Sequence, residues 1–185
     1  MDNSTLLRGS GRMAPFTKQF MGEETAEYDG AEFVIIPVPH EGNVSWHGGT
    51  AKGPEAVLAA SSELEFYDFH TKVNVSKFKY VTIDPVAFDG IGDAASRIFT
   101  DGKIPIFIGG DHSISIPILA QLPQDISILH IDAHMDMRAE YLGNKMSHAC
   151  ALYSASASHN VVPVSYTHLR AHETVLDLVC RLLLE

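Results

Sequence analysis

Two short stretches of this 185-residue chain hold the residue types that bind metal ions, and each follows an apolar run. The first is Gly109-Gly110-Asp111-His112-Ser113, after Ile104-Pro105-Ile106-Phe107-Ile108. The second is Asp132-Ala133-His134-Met135-Asp136, after Ile126-Ser127-Ile128-Leu129-His130-Ile131. Asp132, His134 and Asp136 alternate at i, i+2 and i+4, so an extended backbone projects all three from one side. Three such groups converging at a strand end repel one another or lose their water unless a cation joins them. Carboxylate and imidazole together suit Mn²⁺, Fe²⁺, Co²⁺ or Zn²⁺ better than Ca²⁺ or Mg²⁺, which favour all-oxygen shells. His112 precedes Asp132 by 132 − 112 = 20 positions, about one crossover, and is expected at the same edge on a neighbouring strand. Gly109 and Gly110 would let the backbone turn sharply enough to aim it. Each motif alone also reads as loop polarity or as an ordinary Gly-Gly turn. Their occurrence at successive strand ends is what points to one metal site. His130 is expected to point away from this group or into the core, as a structural histidine.

The elements that carry these residues alternate in type. Phe33 to Val38 is a continuous apolar run, the pattern of a strand buried on both faces. A turn-rich stretch from Pro39 to Thr50 follows, with His40, Trp46 and His47 over the same sheet edge and without an assigned role. Gly53 to Ala60 reads as a helix with Pro54 near its first position, where the missing N–H does no harm. Tyr80 to Ile83 is a second predicted strand. Ala87 to Thr100 is a predicted helix with Phe88, Ile91, Ala95 and Ile98 along one face. Ile114 to Leu122 is another, between the two motif-bearing strands. Strand, polar cluster, helix, strand, polar cluster is the order of parallel βαβ units, whose ligand sites form at the carboxyl ends of strands.

Composition narrows the function classes. With 13 Lys+Arg against 23 Asp+Glu the net charge is −10, which argues against a nucleic-acid surface and tolerates a cationic substrate. A 45% apolar and 19% charged chain has enough apolar surface for a core. Its length suits one domain or an incomplete larger one. No run approaches the ~20 apolar residues of a membrane helix, and the first residues lack a signal-peptide core. Cys150 and Cys180 make no disulfide framework. A cytoplasmic protein without membrane or nucleic-acid partners is the expectation.

On these residues the sequence is similar to the ureohydrolase family, the arginase and agmatinase group. Both metal motifs carry the likeness, together with Pro37-Val38-Pro39-His40-Glu41-Gly42 and Gly53-Pro54-Glu55-Ala56. Gly143-Asn144-Lys145-Met146-Ser147-His148-Ala149-Cys150 resembles the agmatinase form of the next segment, where arginases usually have Ser-Gly-Asn-x-His-Gly. The resemblance implies a three-layer α/β/α fold with a mainly parallel sheet, arginase/deacetylase-like and incomplete at its C-terminus. It implies two Mn²⁺ ions, with His112 and Asp136 on one, His134 on the other and Asp132 bridging. It further implies that a metal-bridging hydroxide attacks the guanidinium carbon, that Asp136 orients the hydroxide, and that His148 shuttles a proton to the leaving amine. The implied substrate is a small cationic guanidino compound, with agmatine, giving putrescine and urea, ahead of arginine, guanidinobutyrate or formiminoglutamate. The complete protein is expected to be a homo-oligomer.

One family feature is missing. A third motif, of Ser-x-Asp-x-Asp type, supplies two further carboxylates, but after Cys150 the only acids are Glu173, Asp177 and Glu185. The second metal is therefore expected to bind weakly and the chain to have little or no activity. A non-catalytic metal-binding module of the same fold is the alternative. The predicted organisation is a flexible 1–14, a partial domain over 15–162 and a tail over 163–185. That tail looks like a translated sequencing adapter, with an amphipathic helix as the other reading.

Overall fold

The computed structural model describes residues 19–23, 25–42, 44 and 47–164. The predicted tail from residue 165, the flexible 1–14 and the loop residue Trp46 lie outside them. Strand β1 (Phe33–Val38) leads through a loop into helix α1 (Gly53–Ser61), followed by a small hairpin, β2 (Tyr67–Asp68) and β3 (Val73–Asn74). Next come β4 (Tyr80–Thr82), α2 (Ile91–Thr100), β5 (Ile104–Gly109), the short α3 (Ser115–Leu119), β6 (Ile128–His130) and β7 (Val161–Pro163). The central sheet is parallel in the order β4-β1-β5, with Val34 opposite Val81 and Pro105.

β1 is buried on both sides because helices cover both faces. Val34, Ile36 and Val38 pack with Ile91 and Ile98 of α2, while Ile35 packs with Leu58 of α1. Successive strand residues point to opposite faces, so these two clusters are the two outer seams of an α/β/α sandwich. In α2 the buried positions are Ile91, Ala94, Ala95 and Ile98, the i, i+3, i+4, i+7 stripe of a helix docked on one side. Each large aliphatic side chain removed from water there stabilises the fold by about 1.5–3 kcal/mol.

Prolines fit the sheet where no ladder donor is needed. The carbonyls of Ile35 and Pro37 accept from Ile83 and Val86 on the β4 side, so the missing N–H of Pro37 faces the side where β4 has already ended. Ile104 donates to Glu32, which turns the adjacent Pro105 toward the outer edge of the three-stranded sheet.

Two expectations change. The predicted Ile114–Leu122 helix is reduced to α3, because Gln121 and Leu122 donate to Ile118 and Leu119 in tight i to i−3 turns and Pro123 disfavours α geometry at Leu122. β6 pairs with β7, in parallel, and among the described residues it does not join β5. Pro105 offers no donor to a ladder on that side of β5. The two motifs thus meet through their loops and not through paired strands.

Candidate metal centre

Beyond β5 the chain is held against the loop after β1. The N–H of Asp111 donates to the His40 carbonyl at 3.0 Å. A side chain on Gly110 would run into that same carbonyl and, at 3.1 Å, the carbonyl of Thr50. Gly110 has no left-handed φ; glycine is required there for close backbone approach and not for a sharp turn. Asp111 is 7% exposed, and its carboxylate accepts from the Gly42 N–H at 2.6 Å, the Ser113 N–H at 2.8 Å and the Ser113 hydroxyl. It caps the turn His112–Ile114 and so fixes the direction in which His112 leaves the backbone. Glu41 organises the same loop from outside, accepting from Gly49 N–H at 2.5 Å, Thr50 Oγ1 at 2.9 Å and Ala51 N–H at 3.3 Å. The Gly49 bond foremost, then that of Thr50, holds the Glu41 carboxyl below its ordinary range.

His112 meets the second motif directly. Its Nδ1 lies 2.8 Å from Asp136 Oδ2 and 3.8 Å from Asp132 Oδ2. The Asp136 hydrogen bond raises the imidazole's pKa, against the effect of burial. Burial is also the largest influence on Asp136 and pushes its carboxyl up, yet the His112 bond and the neighbouring imidazoles outweigh it and leave it lowered.

The stretch from Asp132 to Asp136 is not extended. Asp132 Oδ1 accepts the His134 N–H at 2.8 Å, an Asx-type turn, and Asp136 sits at φ 47° in the left-handed region. The i, i+2, i+4 projection therefore fails: Asp132 and Asp136 face His112, whereas the His134 side chain swings outward and is 67% exposed. His134 Nδ1 stays 3.4 Å from Asp132 Oδ1.

His130 departs from expectation in the other direction. It is 7% exposed, but it does not face away: Nε2 lies 3.9 Å from Asp132 Oδ2 and 4.0 Å from Asp136 Oδ2. Its ring stacks on that of His112, centroids 5.8 Å apart and planes at 17°. Burial lowers its pKa, with the Asp132 charge opposing. One ligand atom from each of His112, His130, Asp132 and Asp136 lies within 4.8 Å of all the others. The signal for His130 in the sequence was only that it lies in the apolar run directly before the motif, two residues from Asp132.

The cluster opens into a cleft of about 310 Å³ lined by Val44, His47, Thr50, Asp111, His112, Asp132, His134, Asp136 and His148. That volume suits a small molecule. His148 begins the turn His148–Cys150 and packs edge-on against Tyr141 at 5.6 Å. His40, by contrast, stacks on Phe88 at 4.1 Å, which makes it part of the loop's packing.

Comparison with known proteins shows the family and the fold. The model of the arginase family matches residues 31–174. N(1)-aminopropylagmatine ureohydrolase of Thermus thermophilus is 32% identical over 144 residues, covering 71% of this chain and 49% of that protein. Agmatinase of Bacillus anthracis is 30% identical over 134 residues, 66% of this chain and 46% of its own length. The chain thus spans about half the length of the curated relatives it matches. The crystal structure of agmatine ureohydrolase from Thermoplasma volcanium superposes with a TM-score of 0.68 at 24% identity, over 84% of this chain and 64% of that one. At that identity the likeness is one of fold, an α/β sandwich with a parallel sheet.

Proposed function

The chain belongs to the arginase family, and from that premise we propose that it supplies the metal-binding half of a hydrolase of guanidino compounds, with agmatine as substrate and Mn²⁺ as cofactor. The observation that carries the reading is the convergence of His112, Asp132 and Asp136 at the mouth of one cleft that His148 also lines. The donor chemistry fits a divalent transition ion. Two carboxylates balance a double positive charge, and imidazole nitrogen favours Mn²⁺, Fe²⁺, Co²⁺ or Zn²⁺ over Ca²⁺ and Mg²⁺.

Within the cleft the residues divide the work. His112, Asp132 and Asp136 would hold the ion, with His134 beside them on the same cleft, 3.4 Å from Asp132 Oδ1, as the further ligand. When bound, it supplies Lewis-acid activation of water near neutral pH. Asp136, kept ionised by its partners, accepts a hydrogen bond and orients the attacking group. His148, on the cleft wall, passes a proton to the departing amine. The cluster's carboxylates and the net charge of −10 draw a cationic guanidino substrate toward the site. Agmatine is favoured over arginine, guanidinobutyrate and formiminoglutamate by the name of the Bacillus relative and by the segment around His148, and the Thermus relative is named for an aminopropyl derivative of agmatine.

A second reading, a non-catalytic metal-binding module, is favoured by one observation: among the described residues the cluster has only two carboxylates. Urea release from agmatine by the 185-residue chain with saturating Mn²⁺ separates the two. Little urea is expected, at a rate well below that of the Bacillus relative assayed alongside, and any Mn²⁺-dependent release above the metal-free blank supports the hydrolase. No product from agmatine, arginine, guanidinobutyrate or formiminoglutamate, with Mn²⁺ binding demonstrated by calorimetry, leaves the module.

A further inference from the structure

We infer that the β2–β3 hairpin is a self-association surface, through which two copies of this chain meet about a twofold axis. The inference does not depend on the metal centre, since the hairpin lies outside the residues that line the cleft.

The hairpin and its flanks show four large apolar side chains to solvent: Leu64 at 58% exposure, Tyr67 at 47%, Phe69 at 72% and Phe78 at 41%. A single exposed aromatic is ordinary on a monomer, but a group of them on one small element is the composition of an interface core. With strands of two residues each, the hairpin has no core of its own in which these side chains could be buried. It is nevertheless held in one shape. Asp68 accepts from the His70 N–H and the Thr71 hydroxyl, both at 2.8 Å, and the Val75 N–H donates to the Phe66 carbonyl at 2.7 Å. Phe78 packs edge-on against Phe33 of β1, and the Lys72 ammonium stands 3.5 Å over the Phe69 ring. A surface already ordered loses little freedom on docking.

Charge identifies the partner. Positions 62–69 carry Glu63, Glu65 and Asp68 and no base, whereas positions 70–79 carry Lys72, Lys77 and Lys79 and no acid. All six side chains are exposed, and among the described residues none of them forms an ion pair. A uniformly acidic or uniformly basic partner would satisfy one arm and repel the other. A twofold contact sets the acidic arm of each copy against the basic arm of the other, and does so twice. A chain of net charge −10 repels its own copy over most of its surface. On the hairpin that repulsion gives way to attraction.

Analytical ultracentrifugation of the full 185-residue chain, with chelator present, is the test. A reversible monomer–dimer equilibrium is expected, with Kd of about 1–100 μM for so small a contact. It should be several-fold weaker at ~0.5 M salt than at ~0.05 M. Phe69→Ser should weaken it by about tenfold or more, while Leu129→Lys, at an exposed position on β6, should leave it within about twofold. Glu63→Lys with Glu65→Lys should abolish self-association, and so should Lys77→Glu with Lys79→Glu, because each pair makes both arms mainly one sign. Mixing those two double variants should restore a dimer, since their arms are complementary again. Circular dichroism checks that each variant folds, and the salt dependence of the wild type needs no variant. A chain that stays monomeric at high micromolar concentration overturns the proposal, as does a mixture that does not associate. So does a dimer lost to Leu129→Lys and indifferent to Phe69→Ser, or one that tightens with salt, since either would mark an apolar contact elsewhere.

Discussion

At the residue scale, the carboxylates around the cleft have distinct jobs although the sequence presents them alike. Asp132 and Asp136 face the imidazoles, whereas both oxygens of Asp111 are occupied by Gly42 and Ser113. Asp111 is thus the clasp between two loops, and it sets the direction of His112. Glu41 plays the corresponding part for the loop from Gly49 to Ala51. Its carboxyl is held low in the folded state by those bonds, so its contribution to loop order is full above the ordinary glutamate pKa. That contribution fades as pH falls through the lowered folded value. Amide hydrogen exchange at Gly49 and Ala51, corrected for intrinsic rates, should show steady protection above roughly pH 5 and a decline below it. Glu41→Gln should abolish the pH dependence. Protection that is flat to pH 2 in the wild type would show that Glu41 does not hold the loop.

At the element scale, the sandwich depends on how closely the β1 and β5 ends approach each other. Gly110 is the contact point, with the His40 carbonyl where a Cβ would stand. Gly110→Ala should destabilise the fold by about 1–3 kcal/mol, the usual cost of overpacking, and should displace His112 with it. Urea denaturation measures the first effect, and Mn²⁺ affinity the second. A variant matching wild type in both would mean that the loop yields freely. Element types were legible in the sequence where the apolar period was strong: β1 and α1 fall where their patterns place them, and α2 keeps its end at Thr100 but starts at Ile91 after a tight turn at Phe88–Gly90 instead of at Ala87. Element ends and partners were less so. The helix after His112 is cut short by Pro123, and β6 takes β7 as its neighbour, because strand pairing depends on distant segments and not on the local pattern.

For the whole molecule, a cation held by this cluster would be coupled to folding, since the cluster joins His112 to the stretch from His130 to Asp136 across one helical connection. A cation that binds only the folded chain adds about 2.7 kcal/mol at a hundred times its Kd, or roughly 5–10 °C in Tm for a domain of this size. Scanning calorimetry with Mn²⁺ against chelator should show that rise, and Asp136→Asn should remove most of it. Equal Tm values with and without saturating Mn²⁺ would mean that the cleft holds no ion in the folded state. The sequence by itself determined the alternation of strand and helix, the placement of both polar motifs at strand ends, and the metal-binding character of their side chains. Those properties follow from residue type and period, which are local. Only the tertiary structure decided how the histidines stand around the carboxylates. The Asx turn at Asp132 and the left-handed Asp136 turn His134 outward, while packing beneath the site encloses His130 and points it in. A one-residue change of backbone direction reverses where a side chain goes, and that direction is set by contacts between parts of the chain that no spacing in the sequence connects.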